Sequence, residues 1–245
     1  MNEINQTNGI FEIHIAGPQI KYEEMIPIFK ELETIGLVKN KFFLKVYNVP
    51  SNGCYKQSLD TPPTGHDLDQ PGWMTTAKVK NFEEAQKLIN LGMEILAKHN
   101  LKGNFEVERI ITDLVEDFKI NVEKDFPDFK KIEDAPDYEN HFIWKDELNK
   151  LPSFEEIIKA IQEKFGISPH QIVDFARDFN ASEKTVVSRV ATIYQPSREE
   201  ALKYAKKLKE SEKILNHKYA VTEQVCLVGE PNIECRKKDN AALYI

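Results

Sequence analysis

Apolar and polar positions alternate through "GIFEIHIAG" at 9–17, so Phe11, Ile13 and Ile15 share one face of a strand and Glu12, His14 and Ala16 the other. Met25, Ile28, Phe29 and Leu32 then recur at helical spacing, which predicts a helix over 21–35 with Gly36 at its stop. The aromatic, β-branched run "KFFLKVYNV" at 41–49 predicts a second strand. The Pro-, Gly- and Asn-rich stretch at 51–72 predicts a long loop. "WMTTAKVK" is a third strand, Asn81 caps a long helix with Glu83 and Glu84 in its first turn, and "FEVERIIT" is a fourth strand. The pattern is β-α-β-β-α-β, the split β-α-β unit.

The same pattern returns. "YENHFIWKD" at 138–146 aligns with the opening strand and pairs Glu139 with Glu12 and His141 with His14. "FEEIIKAIQEK" at 154–164 matches "YEEMIPIFKEL" at 22–32, and "EEALKYAKKLKESEKILN" at 199–216 matches "EEAQKLINLGMEILAKHN" at 83–100. "AVTEQVCLVG" at 220–229 lies beside "FEVERIITD" at 105–113, pairing Glu223 with Glu108. Four matches in one order predict an internally duplicated α+β chain of two ferredoxin-like lobes with antiparallel sheets. The lobes fall at 1–118 and 135–245, joined by a charged linker at 119–134. Within the second lobe, 168–179 reads either as the second strand or as a short helix. The expected strand order sets the first strand at the centre beside the third and the last at an edge, which holds Glu108 apart from the first Glu-x-His pair.

Composition narrows the partners. A net charge of −7 opposes binding to a nucleic-acid backbone, and the short basic runs at 206–207 and 236–238 do not reverse it. No stretch approaches the roughly 20 apolar residues that span a bilayer, and "MNEINQTNG" has neither the basic flank nor the apolar core of a signal peptide. Cys54, Cys226 and Cys235 lack C-x-x-C spacing, which fits a reducing compartment and points to a cytoplasmic protein.

The chemistry-bearing residues are few. Glu12, His14, Glu139 and His141 form two Glu-x-His pairs that duplication places in equivalent positions, where they could converge on one polar groove between the lobes. Imidazole beside carboxylate suits general acid–base work and equally suits zinc, iron or manganese. The plain alternative is a solvated strand face. No tightly spaced metal motif such as H-E-x-x-H is present, so neither a metal nor another cofactor is fixed. A second candidate lies around "TPPTGHDLDQPGWMTT" at 61–76, where His66 could ligate, Trp73 could stack or plug the lobes, and Thr75 and Thr76 carry hydroxyls on the following strand. Arg189, on the corresponding strand of the second lobe, would suit an anionic ligand if it faced an imidazole.

One strand histidine per half of a duplicated α/β chain resembles the two-histidine phosphoesterases, whose lobes each carry an H-x-T/S motif. The resemblance implies cyclic-phosphate cleavage by the histidine pair. Here His14-Ile15-Ala16 and His141-Phe142-Ile143 lack the hydroxyl at the third position, which orients phosphate oxygens. No dinucleotide, P-loop or serine-hydrolase motif is present. The expectation is a small-molecule or anion-binding protein, as an enzyme or a binder. The competing classes are a two-histidine hydrolase, a metal-dependent enzyme and a non-catalytic protein-interaction module.

Overall fold

The computed structural model describes residues 8–17, 20–37, 41–48, 73–111, 120–131, 137–145, 151–176, 186–215 and 219–231. The elements run β1 (Asn8–Gly17), α1 (Tyr22–Thr34), β2 (Lys41–Asn48), β3 (Trp73–Asn81), α2 (Phe82–Lys98), β4 (Asn104–Ile110), α3 (Val122–Asp125), β5 (Phe129–Lys131), β6 (Tyr138–Lys145), α4 (Phe154–Phe165), β7 (Gln171–Ala176), β8 (Val186–Gln195), α5 (Arg198–Leu215) and β9 (Tyr219–Pro231). Helices and antiparallel strands alternate, so the class is α+β.

The strands follow one another in the order β4-β1-β3-β2-β7-β8-β6-β9, and β9 pairs back onto β4. The eight therefore close into a ring, with β5 added beside the end of β9. The order last-first-third-second occurs in each half, and the halves meet through β2–β7 and β4–β9. One expectation changes here and one open alternative is resolved. The final strands are not edges: β4 lies between β1 and β9, because ring closure satisfies the backbone groups that an edge would expose. Residues 171–176 form the strand β7, paired on both sides, rather than a helix.

Local chemistry explains the helices. The side chain of Asn81 accepts from Glu84 N at 2.8 Å to start α2, and Ser153 with Glu156 forms a capping box at the start of α4. Gly36 and Gly166 end α1 and α4 in the left-handed region, at φ 88° and 73°, where a Cβ would be strained.

The helices cover one face of the ring. Phe11, Ile13 and Ile15 of β1 are fully buried against Met25, Ile28 and Leu32 of α1 and Ile89, Met93 and Leu96 of α2. Phe142 and Trp144 of β6 pack likewise with Ile157 and Ile161 of α4. Within the charged stretch at 119–134, Phe126 and Phe129 join the first of these cores, with Phe129 at 4.9 Å from the Phe105 ring. The other face of the strands turns inward, toward the axis of the ring.

Candidate cation centre

Alternation along each strand decides what the interior contains. With Phe11, Ile13 and Ile15 under the helices, Glu12 and His14 point inward; with Phe142 and Trp144 outward, Glu139 and His141 do the same. In β4, Phe105 and Val107 are outward and fully buried, leaving Glu106 and Glu108 for the interior. In β9 a bulge at Cys226 intervenes: Val107 pairs with Leu227 but Glu108 with Val225. The extra residue turns the chain from Leu227, which belongs to the helix-covered core, to an inward Val225 and Glu223.

Register then brings the groups together. Glu12 lies opposite Glu108 across β1 and β4, and Glu139 lies opposite Glu223 across β6 and β9. His14 Nε2 is 2.9 Å from Glu108 Oε2. His141 Nε2 is 3.1 Å from Glu139 Oε2 and 3.2 Å from Glu223 Oε2, while its Nδ1 is 2.9 Å from Thr192 Oγ1. Glu108, Glu139 and His141 each offer one ligand atom, and these atoms all lie within 4.8 Å of one another. Glu12 is held by Lys78, whose Nζ is 2.5 Å away. Two buried polar atoms in this region, His14 Nδ1 and Glu223 Oε1, have no hydrogen-bond partner among the described residues.

The electrostatics follow from crowding carboxylates out of water. Burial, followed by repulsion from Glu223 and Glu139, raises the Glu108 carboxyl well above the usual carboxylate range. Burial and the charges of Glu108 and Glu139 do the same to Glu106, even though that side chain keeps some solvent contact. Burial pulls His141 toward the neutral form, but the bonds to Glu139 and Glu223 outweigh it and hold the imidazole pKa well above its ordinary value. The resulting imidazolium donates from Nε2 to the two carboxylates and from Nδ1 to the Thr192 hydroxyl. Burial likewise opposes ionisation of Glu223, but the hydrogen bond and charge of His141 lower its pKa to about 2.

The other candidate residues fall elsewhere. His66 lies outside the described residues. Trp73 is buried in the first core, its ring meeting Phe29 edge-on at 5.6 Å. Thr75 pairs with the outward Ile15 and is buried beneath the helices, whereas Thr76 lies opposite His14. Arg189 differs most from expectation. It pairs with Trp144 while His141 pairs with Thr192, three positions on, so it sits on the opposite face of the strand. There it donates to both Asp174 oxygens at 2.5 and 2.7 Å and stacks 4.1 Å over the Phe154 ring. It is tied to α4 and does not face an imidazole. The sequence reading missed Glu106 as an inward carboxylate, although its alternation with Phe105 and Val107 carried the signal. Lys78 and Thr192 needed the strand register, which one sequence does not reveal.

No protein-family model matches the chain, and no curated protein matches it. Among solved structures, an anthrone oxidase-like protein is similar at 9% identity over 93% of this chain and 95% of that one, with a TM-score of 0.27. A mutant chlorite dismutase from Candidatus Nitrospira defluvii is similar at 9% identity over 94% and 95% of the two chains, TM-score 0.27. Another mutant of that enzyme, in complex with cyanide, gives 9% identity over 91% of each chain and a TM-score of 0.28. Scores this low transfer neither fold nor activity. Among the described residues no helix is long and apolar enough to cross a membrane.

Proposed function

We propose that this protein binds a divalent cation inside the strand ring, and that its small-molecule chemistry takes place at that cation. The observation that carries the reading is the convergence of Glu108, Glu139 and His141, with their ligand atoms within 4.8 Å of one another. Glu223 lies against the same imidazole nitrogen at 3.2 Å and extends the donor set to one nitrogen and three carboxylates. Such a set suits manganese, iron(II) or zinc. Without a cation, burial favours a proton on Glu108, and the His141 imidazolium bonds to Glu139 and Glu223; a bound cation takes over both roles and releases protons.

The crowded acids also weigh against the neighbouring readings. An anionic ligand or a cyclic phosphate approaching bare imidazoles meets Glu106, Glu108, Glu139 and Glu223, while Lys78 is engaged by Glu12 and Arg189 lies on the other face. The small-molecule ligand expected from the sequence is therefore read as a ligand of the cation, which polarises the oxygen it holds. Tandem ferredoxin-like lobes at 1–118 and 135–245, arisen by duplication, are the accompanying structural reading. The repeated strand order and the paired registers Glu12–Glu108 and Glu139–Glu223 support it. The cysteine usage supports a reducing, cytoplasmic setting.

The test is a thermal-shift screen of the chelator-treated protein against Mn²⁺, Zn²⁺, Co²⁺, Ni²⁺ and Mg²⁺, with elemental analysis of the protein as purified. A cation that binds the folded state alone raises Tm with its concentration. Stabilisation of the wild type that is lost in Glu139→Gln and His141→Ala supports the reading. Equal shifts in wild type and both variants would place the binding elsewhere and overturn it.

A further inference from the structure

We propose that the centre holds two cations and that the Glu108 carboxylate is shared between them. The proposal rests on the cation-binding reading above and adds a stoichiometry and a role for His14 that the first reading does not require.

Strand β4 sits where the two halves of the ring meet. It is flanked by β1 on one side and β9 on the other, with β6 beyond β9. Glu108 is consequently approached from two directions. From β1, His14 Nε2 comes to 2.9 Å of its Oε2. From β6, donor atoms of Glu139 and His141 come within 4.8 Å of one of its oxygens. One carboxylate thus stands between two imidazoles that do not share it for any reason of backbone pairing. A carboxylate with a donor group on each side is the geometry by which two cations about 3.5–4 Å apart are bridged.

Each side also has terminal donors of its own. His141 keeps Glu139 and Glu223. His14 lies directly opposite Glu106 on β4, an inward carboxylate that the first reading leaves unused. A further observation points to a ligand that the protein itself does not supply. Glu223 is 3% exposed, yet its Oε1 has no hydrogen-bond partner among the described residues. Buried polar atoms are rarely left unpaired without a group to meet them. Glu12 is not counted as a donor, since Lys78 holds it.

The experiment is Mn²⁺ titration of the chelator-treated full chain, followed by equilibrium dialysis and electron paramagnetic resonance. The proposal predicts two Mn²⁺ per chain and an exchange-coupled spectrum at saturation. His14→Ala and, separately, the volume-conserving Glu106→Gln should weaken the second ion at least tenfold and leave the six-line signal of one isolated Mn²⁺. Glu108→Gln should abolish the coupling. Circular dichroism checks folding, and Glu106→Gln keeps the test decisive if His14→Ala does not fold. One ion per chain in the wild type, with an isolated signal unaffected by His14→Ala or Glu106→Gln, overturns the shared-carboxylate proposal while leaving the cation reading intact. No bound Mn²⁺, Zn²⁺ or Co²⁺ at all overturns both.

Discussion

The two halves of the centre begin from the same registers and end with different bonds. In each, an inward Glu-x-His faces a glutamate on the neighbouring last strand: Glu12 faces Glu108, and Glu139 faces Glu223. In each, a threonine lies opposite the histidine, Thr76 for His14 and Thr192 for His141. The difference lies in what faces the glutamate from the third strand. Opposite Glu12 stands Lys78, which draws that carboxylate away; opposite Glu139 stands Tyr194, which leaves it to His141. Among the described residues, His141 is consequently held by two carboxylates and a hydroxyl, His14 by Glu108 alone. The first half carries in turn an extra acid, Glu106 opposite His14, where the second has Val221 opposite His141. One lysine and one glutamate convert a repeated pattern into a tightly held imidazolium on one side and a loosely held donor on the other.

This contrast is broken most severely at His141. Removing its charge leaves Glu139 and Glu223 buried without a counterion, and breaking a buried ion pair costs about 3–5 kcal/mol. His141→Ala should therefore lose stability on that scale in urea unfolding of the metal-free protein, with His14→Ala losing clearly less. Equal losses would remove the asymmetry.

The pH dependence sharpens the same point. Glu106 and Glu108 have folded pKa values above their unfolded ones, so their contribution to stability is present below the unfolded value and lost as pH rises through the folded one. His141, also raised, acts in the same direction at higher pH. Glu223, lowered to about 2, acts oppositely: its contribution is present above the ordinary carboxylate pKa and lost as pH falls toward 2. The metal-free protein should be most stable in mildly acidic solution and weaken toward alkaline pH, and a saturating cation should flatten that decline. Denaturant midpoints at several pH values, with and without Mn²⁺, measure it; a metal-free midpoint that rises steadily into alkaline pH would contradict the crowded-carboxylate account.

Smaller effects follow at the flanking residues. Thr192→Val removes the hydrogen bond to His141 Nδ1 and should cost about 1 kcal/mol, whereas Thr76→Val should cost less because no such bond is formed at His14. Lys78→Met should change stability by about 1 kcal/mol or less, as expected of an ion pair whose lysine is half exposed. It should nevertheless tighten cation binding by freeing Glu12, and weaker binding in that variant would show that Lys78 supports the centre.

Much of this arrangement was legible in the sequence because strand alternation is a local property. The inward direction of Glu12, His14, Glu139 and His141 follows from the apolar residues between them, and the helix starts follow from Asn81 and Ser153. The pairing partners were not legible, because register and ring closure depend on contacts distant along the chain. An edge position for the last strand would keep Glu108 remote, whereas ring closure and register set it 2.9 Å from His14. Whether Arg189 faces a histidine is likewise a matter of register, and a three-residue offset puts it on the other face, bound to Asp174.

The central claim, that the acidic interior of the ring is a cation site, is tested most directly by equilibrium binding of Mn²⁺ to the chelator-treated protein at neutral pH, beside Glu139→Gln. The account predicts saturable binding to the wild type, accompanied by proton release, and a loss of at least tenfold in affinity in the variant. Absence of saturable binding by Mn²⁺ or Zn²⁺, or identical binding in wild type and Glu139→Gln, would contradict it.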